Sequence, residues 1–325
     1  MNPVYANLPT TVFEVMSQLA REHNAINLGQ GFPDDPGPED VRRKAAEAVL
    51  DGYNQYPPML GLVELREAIA RHYAHWHRLS LDPQTEIMVT SGATEAVASS
   101  LFGLIEPGDE VVVFAPAYDA YLPLVRRAGG ILRIVRLQPP EWRLTEEALR
   151  GVFSHKTKLV VFNSPQNPAA VVSPREDLEL LARFCQEFDA YAVCDEVWEH
   201  VLFDGREHIP LITLPGMRER TVKIGSAGKD LLAHRLEGRF CLRGAENSAR
   251  ARQGAPVSHF HHTAEPAGGG RLRSRQGRRL FYGHARRSAA QPRPAGERPH
   301  LDRLSGAAGA GYVFSKRRPE AARVE

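Results

Sequence analysis

Lys158-Leu-Val-Val-Phe162 is a short apolar run that stops at Asn163-Ser-Pro-Gln-Asn-Pro168. Its length and its valines predict a strand buried on both faces. The Asn/Pro cluster behind it predicts a turn at the strand's carboxyl end. The same unit recurs outward along the chain. Glu86 to Thr90 runs into Ser91-Gly92, and Ala190 to Cys194 runs into Asp195-Glu196. Thr221 to Gly225 runs into Ser226-Ala-Gly-Lys229, and Glu110 to Phe114 and Ile131 to Leu137 supply two more strands. Between them, apolar residues at helical spacing predict helices over Val41 to Leu50, Leu62 to His75, Ala93 to Leu104, Ala120 to Ala128 and Arg175 to Phe188. Short buried strands alternating with amphipathic helices predict an α/β fold: a mainly parallel sheet with helices on both faces. Ligands in such sheets bind beyond the carboxyl ends of the strands.

The polar residues at those ends form a chemically coherent set: an amide (Asn167), a carboxylate (Asp195), an amine (Lys229) and a glycine-led helix start (Gly92, Ala93, Thr94). Pyridoxal phosphate needs these groups. Its electron withdrawal depends on a protonated pyridine nitrogen, which a carboxylate supports, and a lysine holds its aldehyde as a Schiff base. Backbone amides at a helix start bind its phosphate. Each residue also has a plainer reading taken alone. Lys229 could be a solvated lysine, Asp195 a helix cap, Asn167 a turn residue, and Tyr118 and Tyr56 packing aromatics.

Seven segments together carry a resemblance to the class I/II aminotransferases of pyridoxal-phosphate fold type I, in particular the kynurenine, glutamine K and methionine aminotransferase group. They are Asn27-Leu-Gly-Gln-Gly-Phe-Pro-Asp34, Asn54-Gln-Tyr56, Thr90-Ser-Gly-Ala-Thr94, Pro107-Gly-Asp-Glu110, Asn163-Ser-Pro-Gln-Asn-Pro168, Asp195-Glu-Val197 and Ser226-Ala-Gly-Lys229. The resemblance implies a seven-stranded-type sheet and pyridoxal 5'-phosphate as cofactor. It implies transamination between an aromatic, methionine or glutamine-type amino acid and a 2-oxo acid, with C–S β-lyase action on cysteine conjugates as the alternative. Lys229 is then the Schiff-base and proton-transferring lysine, and Asp195 the partner of the pyridinium. Asn167 reaches the ring oxygen and substrate, Tyr118 stacks on the ring, and Gly92, Ala93, Thr94 and Ser226 take the phosphate. Tyr56 reaches the phosphate of a partner subunit, implying a homodimer, and Gly31 approaches the substrate carboxylate. Two positions depart from the family pattern. Trp198 replaces the usual tyrosine, with an indole N–H in place of the phenol. Asn167-Pro168-Ala169-Ala170 lacks the usual turn glycine.

The resemblance divides the chain into an N-terminal arm and small-domain segment (1–45), a large cofactor-binding α/β domain (46–229) and a tail (230–325). Charge divides it at the same place. Residues 1–228 hold 21 Lys and Arg against 31 Asp and Glu, whereas 229–325 hold 20 against 8, so the near-neutral total of +2 is a cancellation. The tail has no Ile, Met or Trp, and it contains the glycine-rich and arginine-rich run Pro266 to Arg279, a composition expected to be irregular. The family continues after its lysine with Thr-Phe-Ser-Leu-Thr-Gly-Trp-Lys-Val-Gly-Phe-Val. Codons for Asp230 to Cys241, read one base later, permit every residue of that motif. The same shift permits family-like sequence over Phe260 to Leu272 and around Gly311 to Ser315. The tail therefore reads as out of frame. The small domain and its carboxylate-gripping arginine are expected to be missing, the tail poorly folded and the chain as written largely inactive. The alternative is a non-catalytic remnant whose basic tail binds nucleic acid; aromatic residues are sparse there, and codon phase explains the arginines without it.

No apolar run approaches the roughly 20 residues of a membrane span, and no secretory leader is read at the N-terminus. Cys185, Cys194 and Cys241 lack metal-site spacing, so a cytoplasmic protein without disulfides is expected. His23, His75, His77 and His200 form no ligand pattern in the sequence and are expected to be structural or surface residues, with no metal. Resequencing the gene around codon 229 tests the frame: a base gained or lost is expected, and an intact frame contradicts the reading.

Overall fold

The computed structural model describes residues 2–6, 8–29, 36–52, 55–230 and 239–243. Three helices, α1 (Pro3–Ala6), α2 (Val12–Glu22) and α3 (Glu39–Asp51), lead to α4 (Val63–Trp76). Then β1 (Ile87–Thr90), α5 (Ala93–Leu104), β2 (Glu110–Ala115), α6 (Tyr121–Arg127) and β3 (Ile131–Arg136) follow. α7 (Glu146–Arg150), β4 (Thr157–Asn163), α8 (Arg175–Glu187) and β5 (Tyr191–Asp195) come next, before β6 (Thr221–Ser226), α9 (Ala227–Asp230) and β7 (Arg239–Arg243). The strands form one seven-stranded sheet in the order β1-β7-β6-β5-β4-β2-β3. β7 runs antiparallel to both neighbours, and β2 through β6 pair in parallel. The expected mainly parallel α/β sheet is present.

Alternation along the strands builds a core on each face. Val112, Phe114, Val160, Phe162, Ala192 and Cys194 pack with Leu178, Leu181 and Phe184 of α8. Their neighbours Val111, Val113, Leu159, Val161, Val193, Val222 and Ile224 pack on the other face, against Ala96, Val97 and Leu101 of α5 and Val125 of α6. α4 adds a third cluster through Leu65, Ile69 and Tyr73, packed with Ile87 and Ile212. Both faces of β2, β4 and β5 are thus dry, which is why these strands read as continuous apolar runs.

Register fixes where the strand ends fall. Asn163 pairs with Asp195, and Asp195 with Ile224, so β4 and β5 end level and β6 runs two residues further, to Ser226. Thr90 and Ser226 both pair with Arg239 of β7, so β1 ends level with β6. Residues 239–243 fall within the stretch expected to be irregular, yet they form the strand that spaces β1 from β6. The tail in which the small domain is expected to be missing lies, apart from 239–243, outside the described residues.

Candidate functional site

Beyond the row of strand ends lies a cavity of about 110 Å³ lined by Ala93, Thr94, Tyr118, Asn167, Asp195, Trp198 and Lys229 among others. These seven predicted residues come from five segments, brought together by the shared register. Tyr118, Asn167, Trp198 and Lys229 also line an adjoining cleft of about 1180 Å³, bordered by Phe13, Arg143 and Arg206.

Asp195 follows Cys194, so its side chain falls on the α5 face. Only 6% of its surface is exposed. A buried carboxylate must be hydrogen-bonded or paired. Tyr121 Oη donates to Asp195 Oδ2 at 2.7 Å, and the Val197 N–H donates to Oδ1 at 3.4 Å. Burial, and then the adjacent Asp195 charge, hold the Tyr121 hydroxyl well above the ordinary phenol range, so it stays a donor. Tyr121, the first residue of α6, packs edge-on to Tyr118 at 5.6 Å.

Asn163 fastens the β4 turn. Its side-chain N–H groups donate to the carbonyls of Asp195 (2.7 Å) and Pro165 (3.2 Å), and its Oδ1 accepts from the Asn167 N–H (2.7 Å). Position 170, where the family's glycine is missing, carries Ala170 at φ +56°. The left-handed turn is kept, with an alanine in a conformation that costs an L-residue about 1–2 kcal/mol.

Gly92 caps α5 at φ +91°, and the Ser91 N–H donates to the Glu95 carboxylate one turn on. The first amides of α5 therefore face the strand-end row without helical partners, the arrangement that binds anions. The buried Ser226 hydroxyl accepts the Lys229 N–H at 3.2 Å, fixing α9 directly behind β6. Lys229 Nζ stands 4.3 Å over the ring of Trp198. The indole thus presents its face to the amine, a cation–π contact.

Tyr56 is 74% exposed and lines neither cavity. Gly31 lies outside the described residues. The sequence reading missed Tyr121 and Asn163, although Tyr121 stands three residues after Tyr118, and Asn163 ends the strand that decided the fold. It also missed a buried polar cluster on the opposite sheet face, around Lys223, Glu196 and Glu199.

The family described as aminotransferase class I and II matches residues 23–236. The chain belongs to the class I and II aminotransferases. Methionine aminotransferase of Escherichia coli is 39% identical over 246 residues, covering 76% of this chain and 64% of that protein. Probable N-succinyldiaminopimelate aminotransferase of Mycobacterium tuberculosis is 43% identical over 222 residues, covering 68% and 56%. The solved structure of N-succinyldiaminopimelate aminotransferase from M. tuberculosis superimposes with a TM-score of 0.77 at 38% identity, covering 80% of this chain and 68% of that one. The chain thus spans less than two thirds of the length of the curated relatives it matches.

Members of this aminotransferase family use pyridoxal phosphate, and the donor set here fits it. A buried carboxylate, an amine, aromatic side chains and a helix start surround one cavity. Ala170→Gly should remove the left-handed penalty and raise unfolding stability by about 1 kcal/mol, read from urea denaturation of both chains; an unchanged or lowered midpoint contradicts it.

Proposed function

We propose that this chain is the cofactor-binding part of an aminotransferase acting between an amino acid of aromatic, methionine or glutamine type and a 2-oxo acid. The observation that carries the proposal is the convergence of Asp195, Asn167, Tyr118 and Lys229 on one cavity at the strand ends. The relatives' methionine, kynurenine–oxoglutarate and N-succinyldiaminopimelate specificities support transamination.

Pyridoxal phosphate, when bound, supplies an electron sink next to the substrate Cα. Asp195 would face the pyridine nitrogen and favour its protonated form, and Tyr121, donating to Oδ2, fixes that carboxylate. Asn167 would hold the 3' oxygen of the ring, and Tyr118 would lie against the ring. Gly92, Ala93 and Thr94 would take the phosphate at the start of α5, helped by Ser226. Lys229 Nζ would hold the aldehyde and carry the proton to and from the substrate Cα. The ring of Trp198 lies 4.3 Å from that amine and fixes its position.

The exposed Tyr56 and the apolar surface of α2 (Val12, Val15, Met16 and Leu19) support a homodimer. Among the described residues no helix is long and apolar enough to cross a membrane, and the buried free thiols of Cys185 and Cys194 support a reducing cytoplasm. The family match ends at residue 236, close after Lys229, which supports a frame change there. The chain as written is then a weak catalyst, and the frame-restored chain an active one.

Two measurements check this. The purified chain with added pyridoxal phosphate should show a visible absorbance band of the lysine-bound cofactor, absent in Lys229→Ala. In the frame-restored chain, Lys229→Ala should lower transamination by roughly 10²–10⁴-fold, the usual worth of a general base. A band that survives Lys229→Ala, or a restored chain without keto acid product, contradicts the proposal.

A further inference from the structure

The sheet face opposite the cofactor cavity buries an unusual set of ionisable groups. Lys223 lies between Val222 and Ile224, so alternation turns it to that face, where it is fully buried. Its Nζ contacts Glu199 Oε2 at 2.9 Å, Glu196 Oε2 at 3.1 Å and Tyr73 Oη at 2.9 Å. Tyr73 Oη also donates to Glu199 Oε1 at 2.6 Å. His77 Nε2 lies 2.9 Å from Glu199 Oε2, and His208 Nε2 lies 2.9 Å from Glu196 Oε2. His72 Nε2 faces His200 Nε2 at 3.0 Å.

Two overlapping groups of donor atoms share Glu199. One is Glu196, Glu199 and His208, and the Lys223 ammonium already bridges its two carboxylates. The other is His77, Glu199 and His200.

Two observations point to a cation in the second group. First, two buried carboxylates face one ammonium, and a buried charge left unbalanced is strongly destabilising. One further positive charge is needed, from a proton on a histidine or from a metal ion. Second, the donor atoms of His77, Glu199 and His200 converge within 4.8 Å of one another. Metal–nitrogen and metal–oxygen bonds of 2.0–2.2 Å place neighbouring donors roughly 3.3 Å apart, near the 2.9 Å between His77 and Glu199. Imidazole and carboxylate together suit zinc and its neighbours.

We propose that His77, Glu199 and His200 bind one divalent transition-metal ion of the zinc type. The ion ties the end of α4 to the segment after β5, which carries Trp198 and directly follows Asp195. The role is structural, and the site stands apart from the cofactor cavity.

The full chain, stripped with a chelator and dialysed, is titrated with Zn²⁺ by calorimetry and with Co²⁺ by visible absorbance. One ion per chain and the visible absorbance of tetrahedral cobalt are expected, unchanged in Lys229→Ala. His200→Gln, a half-buried change, should weaken binding by at least the roughly 10–100-fold that even outer contacts of a metal site command. Lys223→Met removes the competing ammonium from Glu199, so it should bind Zn²⁺ more tightly. Its melting temperature should also rise more than the parent's on adding zinc. A cluster balanced only by a proton would give no stoichiometric ion in the parent. That result overturns the proposal, as does binding that His200→Gln leaves intact or that Lys223→Met weakens.

Discussion

Asn163 and Asp195 end two neighbouring parallel strands as a register pair, β6 runs two residues past its pair with Asp195 to Ser226, and the site depends on that alignment. Each strand stops where an apolar run meets a polar residue that cannot join the dry core. Because the register is shared, these unrelated stops fall at the same edge. Asn163 reinforces the row by bonding across to the Asp195 carbonyl while holding the turn that carries Asn167. A slip of one residue in β5 would turn Asp195 to the opposite face, away from Tyr121 and Lys229.

The same alternation separates two adjacent carboxylates. Asp195 falls on the α5 face beside the cavity, bonded by Tyr121. Glu196 bonds to His208 and Lys223 on the other side of the sheet. One strand end thus holds a carboxylate facing an open cavity and another sealed in a packed ion cluster. The backbone between them is braced from behind, so movement of Glu196 or Glu199 would be felt at Asp195 and Trp198.

Much of this was legible in the sequence. The strand before Asn163 and the helix Ala93–Leu104 could be read because period and punctuation agree. The cavity residues could be read because each follows a strand. α2 escaped notice, although Thr11 caps it by accepting the Glu14 N–H, a pattern that Thr11-Val-Phe-Glu14 spells out. Tyr121 and Asn163 were hidden behind Tyr118 and Asn167, whose roles the family resemblance supplies. The ion cluster was illegible for another reason. Its members sit on α4, the segment after β5, and β6, more than a hundred residues apart in part, and no local spacing joins them. β7 was missed because Arg239-Phe-Cys-Leu-Arg243 lies in a stretch whose composition predicts irregular chain. Only the open slot between β1 and β6 marks it as a strand.

The central claim is that Lys229, held behind β6 by Ser226, is the one lysine that joins the cofactor. Borohydride reduction of the chain in the presence of pyridoxal phosphate, followed by peptide mass spectrometry, tests it directly. The account predicts a single pyridoxyl group on the peptide containing Lys229. Labelling spread over surface lysines, or an unmodified Lys229, would contradict it.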